Sequence, residues 1–246
     1  MPRRLGQHFL VRNEILEQLA IAACNGHVER VIEIGPGKGA LTRRLLARTD
    51  KLHAVELDAA LAAYLRKNFA SETKLEVHEA NVLETDLTQW GPAVIAGNLP
   101  YYITSPIIEK FLSLDQRFPV AVFLMQWEVA ERLLANPGTR DYGYLTVATR
   151  LSCDVELICE VAPSAFAPPP KVNSGAIRFR RKTIIPRELP ELLKFVGRCF
   201  AHKRKTLRNN LRQAYGERAD MLPEAGLRAE QIPVEQFVDL YTRIRD

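Results

Sequence analysis

The sequence predicts an α/β fold, a doubly wound and mostly parallel sheet followed by a small C-terminal helical domain. Three observations predict it. Short apolar runs alternate with helical stretches through the first two thirds of the 246-residue chain, a glycine-rich turn follows the first of these runs, and the pattern beyond residue 190 is helical. Apolar residues make up 47% of the chain and charged residues 26%, which suits a globular protein with a full core and excludes a disordered tail.

Taken in order, strands are expected at 31–34, 52–55, 75–77, 93–96 and 120–125, each an apolar run of the length of a buried parallel strand. Helices fill the gaps at 40–48, 59–69, 106–112 and 128–135. Two later runs, 154–161 and 175–180, flank the Pro-rich loop 163–170 and read as an antiparallel pair closing one edge of the sheet. Composition shifts at 182–190, with two prolines and a charge run, so the expected domains are 1–182 and 183–246. The longest apolar candidate, 119–125, falls far short of the roughly eighteen residues of a membrane span. No apolar segment of signal-peptide length follows Met1-Pro2-Arg3-Arg4, and the expectation is a cytoplasmic, monomeric protein with no membrane contact. Cys24, Cys153, Cys159 and Cys199 form no C-x-x-C pair and have no matching histidine spacing, so they read as buried thiols and no metal site is expected.

The net charge of +5 is unevenly spread. Between Lys171 and Arg212 there are thirteen Lys or Arg against two Glu, so the rest of the chain is net acidic. A local surplus of this kind suits a polyanion, because each phosphate contact releases condensed counterions. In the tail, Val196, Phe200, Leu207 and Leu211 fall near one helical stripe, and Lys203, Arg204, Lys205, Arg208 and Arg212 occupy the remaining surface. With Lys171 they form the candidate polyanion-binding set. No base-reading signature accompanies them, which points to recognition of backbone and shape.

The run Val31-Ile32-Glu33-Ile34-Gly35-Pro36-Gly37-Lys38-Gly39 sets a strand directly before a Gly-rich turn and a helix. Glycines there allow a nucleotide cofactor close to the backbone. Glu56 follows Gly35 by twenty-one residues and ends the second strand, where a carboxylate can accept from ribose hydroxyls. Gly35, Gly37 and Ala40 also satisfy the dinucleotide pattern, so NAD stays open on the loop alone. The acid at Glu33, two residues before the first glycine, is more characteristic of S-adenosylmethionine enzymes, where it helps order the loop. Lys38 is followed by Gly39 and not by Ser or Thr, which counts against a P-loop.

Asn98-Leu99-Pro100-Tyr101 follows the strand 93–96 at the carboxyl edge of the expected sheet, where ligands bind. An adenine amine is a poor nucleophile because its lone pair is delocalised into the ring. Two acceptors at its hydrogens, the Asn98 side-chain oxygen and the Leu99 carbonyl, would draw it toward tetrahedral geometry. Tyr101 offers a ring on which an extruded base can stack, and Phe166, in the Pro-stiffened loop, is a second stacking candidate. Nothing in the sequence separates Tyr102 from packing.

Asn98 to Tyr101 resembles the N-L-P-Y motif of the ribosomal RNA adenine dimethyltransferases, and other segments agree. Gly6-Gln7-His8-Phe9-Leu10 is similar to that family's G-Q-N/H-F-L opening, 33–39 to its E-x-G-P-G-x-G loop, 166–172 to F-x-P-x-P-K-V, and 203–209 to a basic R-K-T-L-R-N stretch. The segment 126–133, with the following Asp141-Tyr142-Gly143, is also similar. The resemblance implies a Rossmann-like S-adenosylmethionine-dependent methyltransferase domain with a small C-terminal helical domain. It puts His8, Leu10, Gly35, Glu56, Asn81 and Asn98 at cofactor-contacting positions, and the candidate set adds their neighbours Gln7, Gly37, Leu57 and Val82. The implied substrate is a pair of adjacent adenines near the 3′ end of the small-subunit ribosomal RNA, in the assembling subunit. Asn81 departs from the family's usual Asp and keeps an acceptor without its charge. Three other readings remain open: a large-subunit adenine methyltransferase, which usually has Ile where Leu99 stands; a ribosome-assembly or mitochondrial transcription factor; and an NAD oxidoreductase.

Overall fold

In a computed structural model that describes residues 8–245, the chain divides into two compact units. One takes the residues up to Ala130 together with Glu156–Arg181, and the other takes Glu131–Val155 together with the residues from Lys182 onward. A single boundary after 182 therefore does not describe the chain, and the expected division is corrected. The reason lies in packing. Tyr142, Val147 and Leu151 from the inserted segment are buried in one apolar cluster with Leu192, Phe195, Leu207 and Phe237. The Tyr142 hydroxyl, fully buried, donates to the Ile232 carbonyl at 2.8 Å.

The strands are β1 (Phe9–Leu10), β2 (Val28–Ile34), β3 (Thr49–Glu56), β4 (Leu75–Glu79), β5 (Val94–Asn98), β6 (Val120–Gln126), β7 (Cys153–Val161), β8 (Phe166–Ala167) and β9 (Ser174–Arg181). The main sheet runs β4-β3-β2-β5-β6-β9-β7, with β2 through β6 parallel and β9 antiparallel to β6. The two late runs, on either side of the Pro-rich loop, thus occupy one edge of the sheet. In β2, Val31 to Ile34 are buried in succession because both faces of a central parallel strand are covered. From β2 the chain steps outward to β3 and β4, then returns to β5 on the other side of β2. At that reversal the connections leave β2 and β5 in opposite directions, which opens a crevice beyond their carboxyl ends.

Helices α1 (Asn13–Cys24), α2 (Ala40–Leu46), α3 (Ala59–Asn68), α4 (Thr104–Ser113) and α5 (Trp127–Leu134) follow the chain. The sequence reading did not anticipate α1, whose buried stripe of Leu16, Leu19, Ala20 and Ala23 packs on β5 and β6. α3 starts where the Asp58 carboxylate accepts from the Ala60 and Leu61 amides at 2.9 and 3.2 Å. α4 ends on Arg181, whose buried guanidinium donates to the Phe111 carbonyl at 2.6 Å and lies 4.7 Å over the Phe111 ring.

The second unit contains α6 (Tyr144–Ser152), α7 (Leu189–Cys199), α8 (Leu207–Tyr215), α9 (Arg218–Met221) and α10 (Gln236–Arg245). The stripe from Val196 to Leu211 is not one helix but two, since α7 stops at Cys199. Asn210 explains the break: its Nδ2 donates to the Cys199 carbonyl at 2.8 Å and its Oδ1 accepts from the His202 amide at 3.2 Å. The connecting turn is held by a side chain that competes with helical hydrogen bonding.

Candidate active site

Two adjoining cavities lie at the crevice, one of about 820 Å³ with its open mouth included and one of about 480 Å³. They share Gly35, Glu56 and Pro100 as a common wall. The larger is also lined by His8, Leu10, Glu33, Gly37, Asn98 and Tyr101, and the smaller by Leu57, Asn81, Val82, Tyr102 and Ile103. Of the residues expected from the sequence, the crevice therefore gathers segments that lie far apart in the chain. Gln7 lies outside the described residues.

The glycine loop is built around Glu56. Its carboxylate is 5% exposed, with Oε2 accepting from the Gly37 amide and Oε1 from the Asp58 amide, each at 3.0 Å. Burial raises its pKa, while those two amide donors pull the other way. Gly35 and Gly37 have φ of +65° and +58°, and a Cβ on Gly37 would meet the Phe9 ring at 3.0 Å. Among the described residues beyond its chain neighbours, only the Asn98 carbonyl and the Pro100 ring, at 3.7 and 3.8 Å, come within 4 Å of a Cβ placed on Gly35, so the loop leaves a backbone-lined hollow. Glu33 lies beneath, 1% exposed, accepting from the Thr42 hydroxyl of α2 at 2.6 Å. This contact ties the end of β2 to the first turn of α2, on either side of the loop.

Asn98 ends β5, and its Nδ2 donates to the His8 carbonyl at 3.0 Å, which leaves the side-chain oxygen as the acceptor of that amide. The next amide, Leu99, donates to the Leu124 carbonyl at 2.9 Å and continues the ladder to β6. The half-buried Tyr101 ring joins the cleft wall, with its hydroxyl 2.9 Å from Ser174 Oγ. Burial pushes the Tyr101 pKa up and keeps that hydroxyl protonated. The His8 ring stacks on Tyr101 at 5.8 Å, and its Nδ1 meets the Pro168 carbonyl at 2.8 Å, so Nδ1 carries the proton.

Phe166 does not stand where the sequence suggested. In β8 it pairs with Leu10 of β1, is 4% exposed and belongs to the main apolar core, so its ring is packing and no stacking surface. The short antiparallel ladder turns it inward, a contact between residues more than 150 positions apart that no local pattern reveals. Tyr102 is the reverse case: it is 60% exposed and lines the smaller cavity with Leu57 and Ile103. The signal available for it was its place directly after the N-L-P-Y tetrapeptide.

The Asn81 Oδ1 accepts from the Leu83 amide at 3.1 Å and its Nδ2 donates to the exposed Glu84 carboxylate at 2.7 Å. The charge missing from position 81 is therefore present one turn later. In the second unit, Lys203, Arg204 and Lys205 sit on the exposed turn before α8, and Arg212 is exposed on α8. Arg208 is paired with Asp220 at 2.8 Å. Lys171, exposed, belongs to the first unit.

Residues 2–246 match the family described as ribosomal RNA adenine dimethylase. The ribosomal RNA small subunit methyltransferase A of a Picosynechococcus species is 38% identical, across 99% of this chain and 97% of its own. The crystal structure of a dimethyladenosine transferase from Plasmodium falciparum is 28% identical with a TM-score of 0.84, covering 97% of this chain and 98% of that one. That of the 23S rRNA methyltransferase ErmE is 27% identical with a TM-score of 0.75, covering 97% and 100%. With a Rossmann-like sheet, a glycine loop on a buried carboxylate and the N-L-P-Y corner at the crevice, the chain belongs to the ribosomal RNA adenine dimethylase family.

Proposed function

We propose that the protein uses S-adenosylmethionine to dimethylate the 6-amino groups of two adjacent adenines in a 3′-terminal hairpin of small-subunit ribosomal RNA. It acts in the cytoplasm, as a monomer, on the assembling small subunit. The observation that carries the reading is the Asn98 amide at the crevice, whose nitrogen is held by the His8 carbonyl so that its oxygen is left as an acceptor for a substrate amine. The residues suit the cofactor: the hollow at Gly35 admits a ligand against the backbone, and Glu56, at the wall shared by the two cavities, retains lone pairs for ribose hydroxyls. The smaller cavity, walled by Leu57, Val82 and Tyr102, suits a flat adenine ring, with Asn81 and the nearby Glu84 carboxylate at its polar edge.

When bound, the cofactor supplies a methyl group activated by a sulfonium. The Asn98 oxygen and the Leu99 carbonyl would accept from the amine hydrogens and localise the nitrogen lone pair toward that methyl group, and the surplus amine proton would leave to water. Tyr101, anchored through Ser174, holds the base from one side.

A small-subunit target is favoured over the large-subunit alternative by the similarity to small-subunit relatives over nearly their full length and by Leu99. Methyl transfer to immature small-subunit particles, naked hairpin and large-subunit RNA tests it. Particles should react well and hairpin poorly, with dimethyladenine at two neighbouring positions. Product in large-subunit RNA would overturn the substrate. Asn98→Ala should lower turnover by more than about tenfold, roughly 1.4 kcal/mol, while cofactor affinity falls much less. Survival of turnover would remove Asn98 from the chemistry.

A further inference from the structure

On the sheet edge away from the N-L-P-Y corner, the pairing of β3 with β4 assembles a group that the methyl-transfer reading does not use. His53 stands opposite Glu76 in register, and His78 is two residues on in β4, on the same face as Glu76. His53 Nδ1 lies 3.1 Å from His78 Nε2 and 3.3 Å from Glu76 Oε2, and the last two atoms are 3.8 Å apart. Around a tetrahedral ion with bonds of about 2.0 to 2.1 Å, donor atoms are spaced by about 3.3 to 3.4 Å. The three separations bracket that value. Two ring nitrogens 3.1 Å apart cannot both carry protons, so at least one of them has a lone pair to offer an ion. Trp90 covers both rings, at 4.8 Å from His53 and 4.5 Å from His78.

We propose that His53, Glu76 and His78 form a site for a divalent first-row transition ion of the zinc class, with a fourth position open to water. Two imidazoles and one carboxylate suit zinc, whereas magnesium and calcium prefer all-oxygen sites. The ion would clamp edge strand β4 to β3, the strand that ends in Glu56. Lys51 opposes it, since its Nζ sits 2.5 Å from Glu76 Oε1 and leaves only Oε2 for the ion.

The test is calorimetric titration of Zn²⁺ into the chelator-treated full chain, with Ni²⁺ quenching of tryptophan fluorescence as a second readout. One ion per chain is expected, together with a higher thermal midpoint in its presence. Glu76→Gln and His78→Ala should each weaken binding by about tenfold or more, and Lys51→Met should tighten it. Glu76 is exposed, so Glu76→Gln should keep the fold if His78→Ala does not. Trp90→Phe should retain the ion while losing the quench. Absence of saturable binding, undiminished affinity in Glu76→Gln, or quenching that survives Trp90→Phe would each overturn the site.

Discussion

Glu33 shows how one side chain couples the loop to the stability of the whole unit. Burial raises its carboxyl pKa from the usual 4.5 to about 8; the Thr42 hydroxyl bond opposes that rise and the neighbouring Glu56 adds to it. The folded protein therefore keeps a proton between pH 4.5 and about 8 that the unfolded chain releases. The sign follows: the Glu33 contribution is present in full below 4.5 and is lost as pH rises through about 8. Glu33→Gln, which keeps an acceptor for Thr42 and cannot titrate, should flatten the decline. Denaturant midpoints at several pH values across that window measure it, and an equally steep decline in the variant would count against the assignment. At this scale the sequence announced the acid, but not its protonation, because burial is a property of the assembled core.

The elements around the crevice depend on close backbone approach. A Cβ on Gly97 in β5 would lie 2.5 Å from the Ile34 carbonyl of β2 and 3.2 Å from the Leu99 side chain. A carbonyl in a central strand cannot step aside as the tip of a side chain can. Gly97→Ala should therefore cost about 1 to 3 kcal/mol in unfolding free energy and weaken cofactor binding, since Gly35 and Asn98 stand at the next positions of the two strands. Gly226→Ala, where no atom of the described residues other than its chain neighbours lies within 4 Å of the added Cβ, is the control and should stay within about 0.5 kcal/mol. Equal stability of the two variants in denaturant melts would show that the strands can part without loss. The central strands β2, β5 and β6 were legible because strands buried on both faces read as continuous apolar runs. Helices α1 and α6 were not, since their stripes are short and mix alanine and threonine with leucine.

For the whole molecule, the positive excess between Lys171 and Arg212 is less free than its count suggests. Arg178 pairs with Glu156, Arg181 is buried beneath α4, Arg198 lies over Tyr215 and Arg208 is matched by Asp220. The basic turn, with the exposed Lys171, Arg180, Arg187, Lys194 and Arg212, is what remains on the surface for a polyanion, although the Lys203 ammonium also donates to the Arg140 carbonyl. Lys203→Glu with Arg204→Glu should weaken binding to small-subunit particles and reduce the salt slope by roughly two contacts. Arg208→Glu, which severs an internal ion pair, should lower stability more than it changes that slope. Filter binding at several salt concentrations separates the two, and an unchanged slope in the double variant would move the RNA surface elsewhere. Among the described residues no helix is long and apolar enough to cross a membrane.

The sequence by itself determined the alternation of strand and helix, the glycine loop with Glu33 and Glu56, the N-L-P-Y corner and the family they imply. Each of these is local, a period or a spacing within a few tens of residues, and local patterns survive being read one after another. What only the tertiary structure decided depends on partners distant in the chain. Residues 131–155 join the second unit because Tyr142 finds Ile232, and Phe166 turns into the core because β8 pairs with β1. Glu84 restores a charge beside Asn81, and His53 meets His78 because β3 and β4 lie side by side in one register. Burial and strand pairing arise when the chain closes on itself, so their chemistry appears only once the fold has formed.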